Sequence, residues 1–152
     1  MVPLFNLLSI LYNLIIISLV ITFILTQLTK FFVHWYKTKQ FDLMKFVEGG
    51  GMPSSHTSLV TALTVSIFLT EGFSTLFIIA FVFSVIVIRD AMGIRSYVGK
   101  QAKQINILNN KLKANKILLK EAVGHTQLEV AMGVVYGAVI PLIVKIFFLI
   151  FM

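Results

Sequence analysis

The first 29 residues, MVPLFNLLSILYNLIIISLVITFILTQLT (residues 1–29), contain no Lys, Arg, His, Asp or Glu and decide the class of protein. An α-helix rises 1.5 Å per residue, so about 20 apolar residues cross the hydrocarbon core of a bilayer. The stretch has neither the basic start nor the short apolar core of a secretory signal. It therefore predicts a permanent transmembrane helix over about residues 5–29.

The composition of the whole chain points the same way. Of 152 residues, 58% are hydrophobic and 12% are charged, and the charged share is about half of the ~25% that is usual in soluble domains. These values exclude a disordered chain and favour a membrane protein over a soluble globular domain. The chain has no Cys, which excludes a disulfide scaffold, a thiolate nucleophile and a thiolate zinc site.

Three further apolar runs predict spans over about residues 53–70, 73–89 and 126–151. The second run is rich in Ser and Thr, which is typical of a helix that faces protein or a polar cavity. Open strands cannot satisfy their backbone groups in lipid, so the spans are expected to be helices. The prediction is an all-α fold, a polytopic bundle of four transmembrane helices that forms one domain over residues 1–152.

The basic residues predict the topology. Twelve of the 13 Lys and Arg residues lie in two segments, residues 30–52 and 89–124, and the remaining one is Lys145. The positive-inside rule places both loops in the cytoplasm and both termini outside. The expected location is the cytoplasmic (inner) membrane of a bacterium.

The second basic loop predicts an amphipathic helix over Gly99–Ala122, because Ala102, Ile105, Leu108 and Leu112 recur at helical spacing among Lys and Asn residues. Two interpretations stay open: a helix that lies on the anionic cytoplasmic leaflet, and a solvated helix that packs on the bundle. No aromatic residues alternate with these lysines, so a nucleic-acid partner is not expected.

Two histidines begin the second and fourth spans, which run in the same direction. His56 follows Pro53-Ser54-Ser55 and a run of three glycines, and His125 follows Gly124. A helix N-terminus has unpaired N–H groups and a partial positive charge, so two such ends predict an anion site. The hydroxyl groups of Ser54 and Ser55 add donors. A histidine that only caps its helix is the alternative.

Other polar residues of the same face complete the candidate site. Glu129 lies four residues after His125, on the same helical face, and can fix the tautomer of its imidazole. Four basic residues could hold phosphate oxygens: Lys30, Lys37, Lys45 and Arg95. Asp90 is expected to neutralise Arg89 or Arg95, with a substrate role left open. No closely spaced ligand pair predicts a metal site, and a phosphate site is favoured.

Pro53-Ser54-Ser55-His56 and Gly124-His125-Thr126-Gln127-Leu128-Glu129 resemble a divergent branch of the type-2 phosphatidic acid phosphatase family. That superfamily includes bacterial acid phosphatases and vanadium haloperoxidases. The chain has Ser55 where the family motif P-S-G-H has Gly, and Glu129 where H-x3-D has Asp. Lys30 and Lys37 keep the spacing of the first family motif, with Lys37 in the place of its Arg.

The resemblance implies a metal-independent phosphatase or phosphotransferase without a cofactor. It implies that His125 is the nucleophile, Glu129 its orienting carboxylate and His56 the general acid. The implied phosphate ligands are Lys30, Lys37, Arg95, Ser54 and Ser55, with Lys45 and Asp90 around them. The implied substrate is a phospholipid monoester or a polyprenyl phosphate.

Two other functions stay open at this point. One is a non-catalytic binder or transporter of anionic lipids, and the other is an assembly protein whose basic loop recruits partners. A homo-oligomer is compatible with either.

The topology can be tested with single cysteines, because the natural chain has none. We expect Asn110→Cys to stay unlabelled by a membrane-impermeant maleimide in intact cells and to react after the cells are permeabilised. Labelling of intact cells at position 110 would contradict the predicted topology.

Overall fold

The computed structural model describes residues 13–39, 51–112, 118–121 and 124–151. It contains five helices in chain order: α1 (Leu14–Thr38), α2 (Ser55–Glu71), α3 (Thr75–Met92), α4 (Ile94–Leu112) and α5 (Gln127–Phe151). The described ranges contain no strand, so the predicted all-α class is confirmed.

Three helical segments are long and apolar enough to cross a membrane: Leu14–Thr38, Thr75–Leu112, which joins α3 and α4, and Gln127–Phe151. Helix α2 has 17 residues, about 25 Å at 1.5 Å per residue, against a hydrocarbon core of about 30 Å. The chain is therefore an integral membrane protein with three such segments among its described residues. A fourth complete span through α2 stays a prediction.

Helix α1 does not end where the charge begins. The helix continues past residue 29, the predicted end of the first span, through Lys30 to Thr38, and the point where the chain leaves the membrane stays a prediction. Lys30 is 7% exposed, so its charge is enclosed by neighbouring helices and does not mark the point where the chain leaves the bundle. Residues 1–12, which include the predicted start of this span, lie outside the described residues.

The basic loop is helical over a different range from the predicted one. Helix α4 begins at Ile94, and residues 118–121 are not helical, so a helix that continues to Ala122 is wrong. The buried Asn106 amide holds the backbone of Leu119 against α4. Its Oδ1 accepts a hydrogen bond from Leu119 N–H, and its Nδ2 donates one to the Leu119 carbonyl. The Leu108 and Leu112 side chains are exposed, and the position of α4 relative to the leaflet stays a prediction.

Helix α2 is the central helix and packs against α1, α3 and α5. Its contact with α5 is closest at Gly133 and Gly137, where the α5 backbone meets Ser54 and Thr57 at one level and Ser58 and Thr61 at the next. Residues four positions later on α5 contact residues four positions later on α2, so the two helices are parallel. This confirms that their N-termini, and with them His56 and His125, lie at one end of the bundle.

The interior of the bundle is rich in small polar side chains. On α1, Ser18, Thr22 and Thr26 follow one another at four-residue intervals and are fully buried. On α2, the Thr64 hydroxyl lies 2.7 Å from the Ser84 hydroxyl of α3. Large apolar residues instead remain exposed on the outer surface, as at Phe23, Ile86 and Phe147 in three different helices. This distribution is expected when lipid, not water, surrounds the helices.

The close approach at Gly137 makes a stability prediction. A Cβ there would lie 2.5 Å from the Ser58 carbonyl oxygen and 2.9 Å from the Ala62 nitrogen, both backbone atoms that cannot rotate away. Overpacking of this kind costs about 1–3 kcal/mol. We expect Gly137→Ala to lower the melting temperature of the detergent-purified protein. The control is Ala131→Leu, at an exposed position of the same helix, which should have the melting temperature of the wild type. If all three proteins have the same melting temperature, the close packing at Gly137 is contradicted.

Candidate functional site

The N-terminus of α5 is fixed by a reciprocal pair of hydrogen bonds. The Glu129 backbone N–H donates to Thr126 Oγ1 over 3.3 Å, and the Thr126 backbone N–H donates to Glu129 Oε2 over 3.0 Å. This arrangement is a capping box, Thr-x-x-Glu, which satisfies two of the N–H groups left open at a helix start. Glu129 is therefore held in place by the backbone of its own helix.

The same carboxylate oxygen also holds the His125 imidazole. Nδ1 of His125 lies 3.1 Å from Glu129 Oε2. An ionised carboxylate only accepts hydrogen bonds, so in the neutral imidazole Nδ1 is the nitrogen that carries the proton and Nε2 the one with the lone pair. Nε2 makes no hydrogen bond to any residue within the described ranges. The arrangement is that of an oriented nucleophile or base with one nitrogen available.

Two backbone contacts fix His125 against α3 and α4. Its N–H donates to the Ala91 carbonyl of α3 over 3.2 Å. The preceding Gly124 lies directly on the first turn of α4, where a Cβ would come within 2.6 Å of the Ser96 nitrogen. Only a residue without a side chain fits this position. His125, which the sequence predicts at the start of the fourth span, is thus held by contacts with α3, α4 and α5.

The start of α2 is tied to the same point. Ser54 is the N-cap of α2, and its backbone N–H donates to the Glu129 carbonyl over 3.0 Å. The Ser54 side chain is fully buried, and its Oγ accepts a bond from Thr57 Oγ1 over 3.0 Å. Ser55 Oγ is also buried and has no hydrogen-bond partner among the described residues. These two hydroxyl groups therefore belong to the helix start and its packing, and neither is on an open surface.

Ionisable groups from α1, α3 and α4, and His125 just before α5, lie near His56, which is exposed. Arg95, His125, Lys30 and Asp90 all lie within electrostatic range of its imidazole. Arg95 Nε donates to Asp90 Oδ2 over 2.6 Å, so the expected pairing of Asp90 with a neighbouring Arg is confirmed. One guanidinium edge is engaged in this pair, and the remaining N–H groups of Arg95 can still bind an anion.

Lys30 approaches the site from α1. Its side chain is buried beside Gly51, where an added Cβ would lie 4.0 Å from Lys30 Cγ. Gly51 has φ +83°, a conformation that favours glycine. The Glu129 carboxylate lies within electrostatic range of the Lys30 ammonium, and no described residue forms an ion pair or hydrogen bond with it. Lys30 therefore brings a basic group to the site that is not held in an ion pair by any residue that the structure describes.

Comparisons with known proteins identify the family of this chain. The family model described as "Divergent PAP2 family" matches residues 11–140. The chain belongs to the divergent PAP2 family. It is also similar to YuiD of Bacillus subtilis (strain 168), named as an uncharacterized membrane protein, with 32% identity over 159 aligned residues that cover 93% of this chain and 99% of YuiD. No solved structure matches the chain.

Some residues proposed from the family motifs lie apart from this cluster. Lys37 is exposed, seven residues beyond Lys30 on α1, and is not among the groups within electrostatic range of His56. Lys45 lies outside the described residues. His34 bonds with Thr38 of its own helix. Within the described ranges, no three His, Asp or Glu side chains are grouped as a metal site would need.

Sequence reasoning missed three features that build this family member's site. The Thr126-x-x-Glu129 capping box has a recognisable signature, and Gly133-x-x-x-Gly137 is the small-residue motif of close helix packing. Both could have been found from the sequence. The role of Gly124 could not, because its neighbour Ser96 is 28 residues away along the chain and only the fold brings them together.

The capping box predicts different effects for its two members. Replacement of an N-cap Thr by Ala costs about 0.5–2 kcal/mol, so Thr126→Ala should lower the melting temperature of the purified protein. Glu129→Gln keeps an oxygen that can accept the Thr126 N–H and should melt close to the wild type. The exposed neighbour Gln127 provides the control, as Gln127→Ala should change little. A larger loss in Glu129→Gln than in Thr126→Ala would contradict the capping role.

Proposed function

We propose that this protein is a membrane-embedded lipid-phosphate phosphatase or phosphotransferase that acts through a phosphohistidine intermediate. The observation that carries the proposal is the His125–Glu129 pair, which engages Nδ1 of a buried histidine and leaves Nε2 for the lone pair of the neutral imidazole. His125, Lys30 and Arg95 all lie within electrostatic range of His56. Membership of the divergent PAP2 family supports the same chemistry.

In the proposed reaction, His125 Nε2 attacks the phosphorus atom and the bond from phosphorus to the lipid oxygen breaks. His56 donates a proton to that leaving oxygen. Water, or the hydroxyl group of an acceptor in a phosphotransferase, then attacks the phosphorus of phosphohistidine and gives its proton to His56. The N–P bond breaks, and His125 and His56 return to their starting states. Lys30 and Arg95 neutralise the phosphoryl oxygens throughout.

An apolar groove supports a lipid substrate. A cavity of about 410 Å³ lies between α2 and α3, and aromatic side chains such as Phe68, Phe77 and Phe81 line it. Its lining includes Ile88, two residues before Asp90, and Val134, which follows the Gly133 that contacts Ser54. The groove thus begins near the polar cluster and continues along the apolar part of the bundle, as a lipid chain attached to a bound phosphate would require.

Two observations favour a second function, a non-catalytic binder or transporter of anionic lipids. Arg95 is partly engaged by Asp90 at 2.6 Å, and Lys37 is exposed away from the groups around His56. Both reduce the number of cations available to a phosphoryl group in its transition state. Binding without turnover would then be the retained property.

The nucleophile is tested by phosphate release from a panel of lipid phosphates. With purified protein in mixed micelles, we expect His125→Ala to abolish release, because no other group can form the covalent intermediate. His34→Ala is the matched control and should retain activity, since that histidine bonds within α1. Full activity of His125→Ala would overturn the mechanism, and retention of lipid binding without any turnover in the wild type would favour the second function.

The general acid is tested by the choice of leaving group. His56→Ala should lower the turnover of an alkyl phosphate by about 10²–10⁴-fold, the usual contribution of general acid catalysis. It should affect nitrophenyl phosphate far less, because nitrophenolate leaves without a proton. The measurement is kcat for the two substrates with wild type and variant. Equal losses on both substrates would contradict the assignment of His56.

A further inference from the structure

A second cavity opens beside His125. It has a volume of about 390 Å³, and Lys100 and Lys103 of α4 line one wall while His125 and Thr126 line the other. A water molecule occupies about 30 Å³ of liquid, so the space exceeds what a few waters or a single small ion would fill. The family motifs include none of the α4 residues that form this wall.

The charge of this cavity is positive. Lys100 and Lys103 are exposed, three residues apart on one helical face, and neither forms an ion pair with a residue that the structure describes. Glu121 also lines the cavity and opposes them with a single carboxylate, whose Oε1 accepts a hydrogen bond from Asn106 Nδ2 over 2.9 Å. Two ammonium groups therefore outweigh one carboxylate that is already hydrogen-bonded.

His125 lies between this cavity and the cluster around His56. It lines the cavity, and it is within electrostatic range of His56 together with Lys30 and Arg95. At 1.5 Å per residue, Lys103 is about 12 Å along the axis of α4 from Arg95. Neither Lys100 nor Lys103 is among the charged groups within electrostatic range of His56, so these lysines form a set of cations separate from Lys30 and Arg95.

We propose that this cavity is a second anion subsite, in which Lys100 and Lys103 bind a phosphoryl group other than the one that reacts at His125. The inference rests on the proposed function and deepens it, because it makes the preferred substrate a lipid with two phosphoryl groups, such as a lipid diphosphate. Lys100 and Lys103 are then specificity-determining residues that distinguish such a substrate from a lipid monophosphate.

The subsite is tested first by binding, which does not require turnover. Isothermal titration of the full-length protein in detergent with inorganic pyrophosphate and with orthophosphate should show tighter binding of pyrophosphate. The Lys100→Gln/Lys103→Gln double variant should lose about tenfold or more in pyrophosphate affinity, the value of one charge-assisted hydrogen bond, with little change for orthophosphate. Lys100→Arg/Lys103→Arg should retain tight binding, because the charges remain.

The matched control is Lys111→Gln, which removes an exposed lysine of the same helix that is not part of the cavity lining. It should leave both affinities unchanged. Equal binding of pyrophosphate and orthophosphate by the wild type would overturn the proposal. A pyrophosphate affinity that does not change in the double glutamine variant, or that falls equally in Lys111→Gln, would do the same.

A second measurement separates this inference from the proposed function. Phosphate release from a lipid diphosphate and a lipid monophosphate of the same chain should show a selective loss of kcat/KM for the diphosphate in the double glutamine variant. Release from neither lipid, with the pyrophosphate result intact, would reject the phosphatase and keep the subsite. Release from both lipids with an unchanged preference in the variant would reject the subsite and keep the phosphatase.

Discussion

The parallel contact between α2 and α5 is the constraint on which the rest of this structure depends. At Gly133 and Gly137 the α5 backbone comes so close to Ser58 and its neighbours that no side chain fits between the two helices. In lipid there is little hydrophobic gain from bringing helices together, so packing at short distance and hydrogen bonds must supply the stability. Because the two helices are parallel and in contact from their first turns, their N-termini are necessarily adjacent, and the hydrogen bond from Ser54 N–H to the Glu129 carbonyl joins them there.

The polar cluster is a consequence of that adjacency. The capping box holds the Glu129 carboxylate, and the carboxylate in turn holds the His125 ring. The residue that stabilises the start of the helix thus also orients the imidazole, which links the stability of the bundle to the geometry of the site. Helices α1, α3 and α4 then contribute Lys30, Asp90 and Arg95, so that a single end of the bundle collects both signs of charge around His56.

The sequence located the polar residues of this end of the bundle better than it located the ends of the helices. The structure brings together six residues that were named from the sequence, and their roles stay a prediction: His56, His125, Glu129, Arg95, Asp90 and Lys30. The boundaries failed where a charge was taken as the end of a helix. Lys30 is enclosed by protein, so α1 continues past it, and the reversal after α4 depends on the Asn106 amide, which binds a backbone segment 13 residues further along the chain.

The sequence by itself determined that this protein is helical and lies in a membrane, because long uncharged runs have no other way to satisfy their backbone groups in lipid. It also determined which residue types were available for chemistry and that His56 and His125 lie next to the starts of two apolar runs. Only the tertiary structure decided which cations belong to the site. Lys30 and Lys37 lie on one helix with the spacing of a family motif, yet one is buried beside Gly51 and the other is exposed to the surroundings. Seven residues are about two helical turns, so both lysines lie on the same face of α1 and are separated by about 10 Å along its axis. They differ because the packing of α1 against α2 and α5, which is set by contacts between residues far apart in sequence, encloses this face at Lys30 and leaves it open at Lys37.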